Sequence, residues 1–196
     1  YGEVSFIDDS IGRILDTLEK LGIRNNTLII FTSDHGDMLG DHWLYFKGLP
    51  YWQSANVALI FNWPGRLKSG KTVTGIVQEI DILPTILELV GIDCPAGVQG
   101  ISQLKVLTTD SNDTGYEYAY IEHPNADYTL RSLKWRFSYY PGKDYGELYD
   151  LEKDPNEFVN LWQDKKLQGL KDQLTRKLLD RIITTRDPLP VREKPY

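Results

Sequence analysis

Two short, uninterrupted apolar runs constrain this chain more than anything else in it. They are Leu28-Ile29-Ile30-Phe31, held between Thr27 and Thr32, and Val57-Ala58-Leu59-Ile60-Phe61. Runs of this length without alternation read as strands buried on both faces, as in a parallel sheet covered by helices. Helices stand in the right places to cover them. Val4, Ile7, Ile11, Ile14, Leu15, Leu18 and Leu21 recur at three- and four-residue steps, which marks an amphipathic helix stopped by Gly22. Residues 80–90, closed by Gly91, read as another. Helices alternating with buried strands imply an α/β layered fold.

Beyond Gly100 the texture changes. Residues 108–115 form a polar loop, and 117–122, 130–133 and 135–140 are aromatic-rich, partly alternating stretches that read as antiparallel strands. Pro141-Gly142-Lys143-Asp144 is a turn signal. A last helix is expected over 164–184, with Leu167, Leu170, Leu174, Leu178 and Ile182 on one face, and the tail with Pro188, Pro190 and Pro195 is no regular helix. The expected organisation is therefore residues 1–107 as part of an α/β domain and 108–196 as a small subdomain of antiparallel strands plus a terminal helix.

Composition excludes two classes of partner. The 22 basic and 28 acidic side chains leave a net charge of −6 with the signs interspersed, which is no electrostatic footprint for nucleic acid. No apolar run approaches the length of a membrane-spanning helix. An anionic substrate would have to be drawn in by local charge, from a metal or a lysine. A single cysteine, Cys94, rules out an internal disulfide. Asn25-Asn26-Thr27 and Asn112-Asp113-Thr114 fit the short glycosylation pattern. The opening at Tyr1 has mid-helix character and carries the expectation that the chain begins inside a larger protein.

The stretch from Phe31 to Lys47 carries the chemistry. Asp34 and His35 sit where a buried strand ends, the place where α/β sheets gather ligands. A carboxylate oxygen and a neutral imidazole nitrogen suit a divalent cation, and Gly36 lets the backbone turn tightly beside them. Asp37, Asp41 and His42 follow closely, and Lys47 brings a mobile positive charge. A metal with a lysine is a sensible pair for binding a tetrahedral anionic ester and stabilising negative charge on it. Taken alone, the same residues also fit a bare turn with Asp34 on local amides, a structural His42 and a surface lysine.

Thr32-Ser33-Asp34-His35-Gly36, then Leu39-Gly40-Asp41-His42, then Lys47 thirteen positions after Asp34, resembles the second signature of the sulfatase family in the alkaline phosphatase superfamily. Four further blocks match in order. Residues 5–15 resemble the helix before the metal strand, and 57–65 the next core strand. Residues 79–92, with Asp81, Pro84 and Thr85, resemble a family helix, and 146–161 the C-terminal hairpin and its loop. The resemblance covers nearly the whole chain. It implies part of a mixed or parallel alkaline-phosphatase-like sheet flanked by helices, followed by the small antiparallel subdomain.

By the same resemblance, Asp34 and His35 ligate a divalent cation, usually Ca2+, with Mn2+ or Zn2+ in related phosphonate monoester hydrolases. Lys47 contacts the sulfate oxygens, and His42 is a candidate substrate-side residue. The family nucleophile is a formylglycine made from Cys or Ser in an upstream motif with further aspartate ligands. Cys94 has neither the spacing nor the position for it, and Asp8-Asp9 read as the solvated face of the first helix. No catalytic nucleophile is therefore expected in this chain, only in the missing N-terminal half of the same protein. The implied substrate is a sulfate ester. Two alternatives are a phosphate or phosphonate ester hydrolase and a non-catalytic binding or structural module. His123 at a strand end and the Trp135, Tyr139 and Tyr140 stripe are weaker candidates, read first as structural.

Overall fold

The computed structural model describes residues 1–123 and 127–185. Helix α1, Gly2–Lys20, matches the apolar periodicity and is closed at Gly22, whose φ of 69° only glycine adopts without strain. Strand β1, Ile29–Thr32, follows. A single helical turn α2, Trp52–Ala55, precedes β2, Leu59–Asn62. Both apolar runs are strands, but they pair antiparallel, Ile29 opposite Asn62 and Thr32 opposite Leu59. Nor are they buried on both faces: Phe31 and Ile60 are exposed, and α1 buries none of its residues. Val4, Phe6, Ile7 and Ile14 of α1 are each more than half exposed. The two strands were read as covered because continuous apolar runs need cover, and α1 does not supply it.

Helix α3, Ile82–Leu89, is entered through a 3-10 turn at Glu79–Asp81. Asp81 is 1% exposed, so its charge must be met by donors. Its Oδ1 accepts the Ile101 amide at 2.8 Å and the Tyr116 hydroxyl, and Oδ2 accepts the Gln78 amide at 2.8 Å. Burial and the neighbouring Asp81 carboxylate push the Tyr116 phenol well above its ordinary range, so it stays a donor. Gln78 in turn accepts the Tyr120 amide at 3.0 Å, tying α3 to the C-terminal part. Helix α4 is short, Leu104–Thr108.

The C-terminal part is a four-stranded antiparallel meander of β3 (Ala119–His123), β4 (Asp127–Arg131), β5 (Trp135–Tyr139) and β6 (Gly146–Asp150). Helix α5, Gln168–Thr184, packs on it. Asp164 accepts the Lys166 amide at 2.8 Å and caps the 3-10 turn that leads into α5. The expected helix is thus present, and the Pro-bearing tail lies outside the described residues. Strand alternation divides the sheet chemically. Leu130, Phe137 and Leu148 face α5 and close a core with Leu174 and Leu178. The opposite face carries Asp127, Thr129, Arg136, Ser138 and Tyr149, all buried. Trp135 packs against the core, as read from its strand spacing, whereas Tyr139 is exposed. Among the described residues no helix is long and apolar enough to cross a membrane.

Phe137 is fully enclosed in that core. Phe137→Ala is expected to destabilise the C-terminal part by about 3–5 kcal/mol through the lost transfer energy and the cavity left behind. Urea denaturation followed by tryptophan fluorescence measures it, and a loss below about 1 kcal/mol would show that the cluster is not the core.

Candidate active site

The turn after β1 brings two donors together. Asp34 Oδ1 accepts the His35 amide at 2.9 Å, which orients the carboxylate against its own backbone. Nδ1 of His35 lies 2.8 Å from the Gly36 carbonyl oxygen. A carbonyl only accepts, so the ring proton belongs on Nδ1 and the lone pair of the neutral imidazole is left on Nε2. Nε2 stands 3.4 Å from Asp34 Oδ2, with the two side chains 39% and 84% exposed. A histidine whose second nitrogen is tied to a backbone carbonyl, beside a carboxylate oxygen, is the donor arrangement of metal-binding histidines. These residues fit a divalent cation. Among the described residues no group of three or more His, Cys, Asp and Glu side chains gathers to hold a metal ion.

Gly36 serves the turn for a different reason from the one its position implies. Its backbone is not left-handed; instead, a Cβ there would fall 1.9 Å from the Gln53 carbonyl oxygen. The Gly36 amide donates to the Ser54 carbonyl at 2.8 Å, so the Asp34–His35 turn is docked on α2 through glycine's lack of a side chain. Glu79 was not foreseen as a neighbour. Its carboxyl is held above the usual range, first by burial and then by the Asp34 carboxylate, with His35 pulling the other way. Nothing in the spacing of 34 and 79 announces that proximity.

Lys47 and His42 lie in one loop. Met38 donates to the Phe46 carbonyl at 2.8 Å and Gly40 to the Leu44 carbonyl at 2.9 Å, so the backbone returns at Lys47 to the neighbourhood of Asp37. Asp37 caps that turn, accepting the Leu39 amide at 2.9 Å. Four non-glycine residues of the loop, Leu39, His42, Trp43 and Phe46, have φ between 47° and 69°. Such backbone is costly and persists only where its surroundings hold it. Lys47 is exposed. His42 is not held out to solvent: its ring stacks on Tyr51 at 4.2 Å and meets Phe158 at 4.9 Å, and its enclosed Nε2 has no hydrogen-bond partner among the described residues. Cys94 is exposed, and Asp8 and Asp9 are solvated as read. His123 pairs across β3 and β4 with buried Asp127, Nδ1 to Oδ1 at 3.0 Å.

Residues 40–184 match the N-sulphoglucosamine sulphohydrolase C-terminal family, and residues 2–49 match the type I phosphodiesterase / nucleotide pyrophosphatase family. An arylsulfatase of Clostridium perfringens is 37% identical over 93% of this chain, and an N-acetylglucosamine-6-O-sulfatase of Bacteroides thetaiotaomicron is 33% identical over 80%. The chain spans 39% and 30% of the lengths of these two relatives. Among solved structures, the phosphonate monoester hydrolase of Agrobacterium radiobacter superposes with a TM-score of 0.87 at 28% identity, covering 95% of this chain and 41% of that one. A protein solved with its substrate D-glucosamine-2-N,6-O-disulfate superposes with a TM-score of 0.85 at 29% identity, covering 97% of this chain and 41% of that one. With the larger family match running from the Lys47 loop through α5, and curated sulfatase relatives aligned along the chain, the chain belongs to the sulfatase family of the alkaline phosphatase superfamily.

Proposed function

We propose that this chain is the later part of a metal-dependent sulfatase that hydrolyses sulfate esters. The observation that carries the reading is the Asp34–His35 pair, with the imidazole proton committed to the Gly36 carbonyl and two donor atoms left side by side. Asp34 contributes negative charge and His35 a neutral nitrogen, a set compatible with Ca2+ first and with Mn2+ or Zn2+ as alternatives. A divalent cation held there supplies positive charge that orients the ester and polarises its oxygens. Lys47, on the loop returning to the same turn, places an ammonium where oxygen charge develops. His42, on the same loop as Lys47, is a candidate substrate-side residue. The nucleophile, expected to be a formylglycine, and the remaining metal ligands belong to the rest of the protein. The exposed apolar side chains of α1, and Phe31 and Ile60 on the β1–β2 pair, are surfaces for that remaining part to cover.

A second reading keeps the site and changes the ester to a phosphonate or phosphate. It is favoured by the similarity to a phosphonate monoester hydrolase over 95% of the chain. A tetrahedral anionic ester meets the same cation and lysine in either case. Parallel turnover of an aryl sulfate and an aryl phosphonate by the full-length protein separates the two readings. The third alternative, a non-catalytic module, predicts turnover of neither.

Asp34→Ala and His35→Ala in the full-length protein are each expected to lower bound metal at least about tenfold, a loss of one ligand's share of affinity. Inductively coupled plasma mass spectrometry after dialysis measures it, and unchanged metal content removes the ligand assignment. Lys47→Ala is expected to reduce kcat/KM for an aryl sulfate about 10²- to 10³-fold with metal content retained. A loss under threefold would mean that Lys47 does not meet the reacting oxygens. The chain by itself, with two donors and no nucleophile, is expected to give no aryl sulfate turnover above the buffer rate. Measurable hydrolysis by the purified chain overturns that expectation.

A further inference from the structure

Arg136 is fully buried, yet it lies on the sheet face turned away from α5. Its guanidinium stands 4.5 Å from the ring centres of both Tyr51 and Tyr149. Nε donates to Glu157 Oε1 at 2.9 Å, and one terminal nitrogen lies 2.8 Å from both Ser138 Oγ and Glu147 Oε2. Glu157 is itself 2% exposed and takes a left-handed backbone, φ 59°, to reach this place. Its Oε1 also accepts from Arg131, and its Oε2 accepts the Trp52 amide at 3.1 Å.

Two routes lead from this pair to the candidate site. Through Glu157 it holds the first amide of α2, and α2 holds Gly36, beside His35, by the Ser54 carbonyl. Through Tyr51 it reaches the His42 ring, stacked on Tyr51 at 4.2 Å, and so the strained loop that carries Lys47. Two arginines converging on one buried carboxylate are a poor device for stability alone, since an apolar cluster of the same volume is usually at least as stable. Directed hydrogen bonds of this kind fix a position instead.

We infer that the Arg136–Glu157 pair is a positioning pair for the reaction: it sets where the Asp34–His35 turn and Lys47 stand, without touching the ester. The inference rests on the sulfatase reading of the site. Acting through the Lys47 loop, the pair is energetically coupled to Lys47, whereas a purely structural pair is not.

The test is a double-mutant cycle in the full-length protein, reading kcat/KM for whichever aryl ester the wild type hydrolyses, with the melting temperature beside it. Glu157→Gln keeps the shape and removes the charge. It is expected to lower kcat/KM about 10- to 100-fold, the size of a misplacement near 1 Å. On the Lys47→Ala background the same change is expected to cost at least about threefold less than in the wild type, because one of the two groups it positions is gone. Losses that multiply across the cycle, or a Glu157→Gln protein with wild-type kcat/KM, overturn the positioning role. If Glu157→Gln does not fold, Tyr51→Leu removes the ring shared by Arg136 and His42 and is put through the same cycle with the same criterion. A wild type that turns over neither ester, or turnover indifferent to Lys47→Ala, overturns the sulfatase reading and the positioning role with it. A normal Lys47 effect with multiplicative losses overturns the positioning role alone.

Discussion

The guanidinium of Arg136 is fully buried, so its charge has to be met by the protein groups around it. Removing one partner of a buried ion pair costs roughly 3–5 kcal/mol, so the groups around it are locked in place once it is buried. Glu157 and Glu147 balance the charge, Ser138 takes a further hydrogen bond, and two tyrosine rings, tilted 60° to each other, lie 4.5 Å from it. The opposing carboxylates outweigh burial, so Arg136 binds its proton more tightly than usual. Arg131, facing the same Glu157, is driven the other way by its own burial and by Arg136. One carboxylate oxygen thus serves two guanidiniums. The elements that supply these groups, β4 to β6, the loop at Glu157 and the approach to α2, cannot shift separately.

At the Asp34–His35 turn the constraint is steric and then tautomeric. Gly36 has to be glycine because the Gln53 carbonyl occupies the space of a side chain. That close approach lets the Gly36 amide bond to Ser54 while its carbonyl oxygen faces His35 Nδ1. The carbonyl decides which imidazole nitrogen keeps a lone pair. A protonated imidazole would offer Nε2 as a donor to Asp34 Oδ2 and close the pair as an ion pair instead. The donor pair and a simple His–Asp contact are therefore the same geometry in two protonation states.

What could be read in the sequence was whatever depends on neighbours along the chain. The periodicity of α1, the Gly22 stop, the apolar runs of β1 and β2, and the strands and final helix of the C-terminal part are all present close to their expected bounds. Asp34 and His35 were legible because a strand end, a carboxylate, an imidazole and a glycine fall within a few residues. The pairing and cover of β1 and β2 were not, since apolar runs state only that cover is needed. Glu79, 45 positions from Asp34, and Glu157, 105 positions from Trp52, became neighbours only through the fold. Glu157 offered a weaker signal still, being one more acid in a polar, turn-rich segment. Its left-handed backbone on a non-glycine residue is visible only in three dimensions.

The division into an α/β part and a C-terminal subdomain describes the order of elements better than the flow of constraint. If β3 to β6 were an appendage, the face away from α5 would be solvated, as antiparallel sheets with one covered face commonly are. Instead that face buries Asp127, Thr129, Ser138 and Arg136, linked in series: Asp127 accepts from Thr129 at 2.9 Å, Thr129 meets Ser138 at 2.6 Å, and Ser138 accepts from Arg136 at 2.8 Å. The series starts at His123, the histidine that closes β3, and ends through Glu157 at the amide of Trp52. Asp127, Thr129 and Ser138 are each partnered along it, whereas Nη2 of Arg136 is enclosed without a hydrogen-bond partner among the described residues. The far end of the series, the amide of Trp52, opens the helical turn on which Gly36 docks. The C-terminal sheet therefore acts as one wall of the candidate site's foundation, and a displacement of β5 is felt at Gly36 through three hydrogen bonds rather than through a flexible joint.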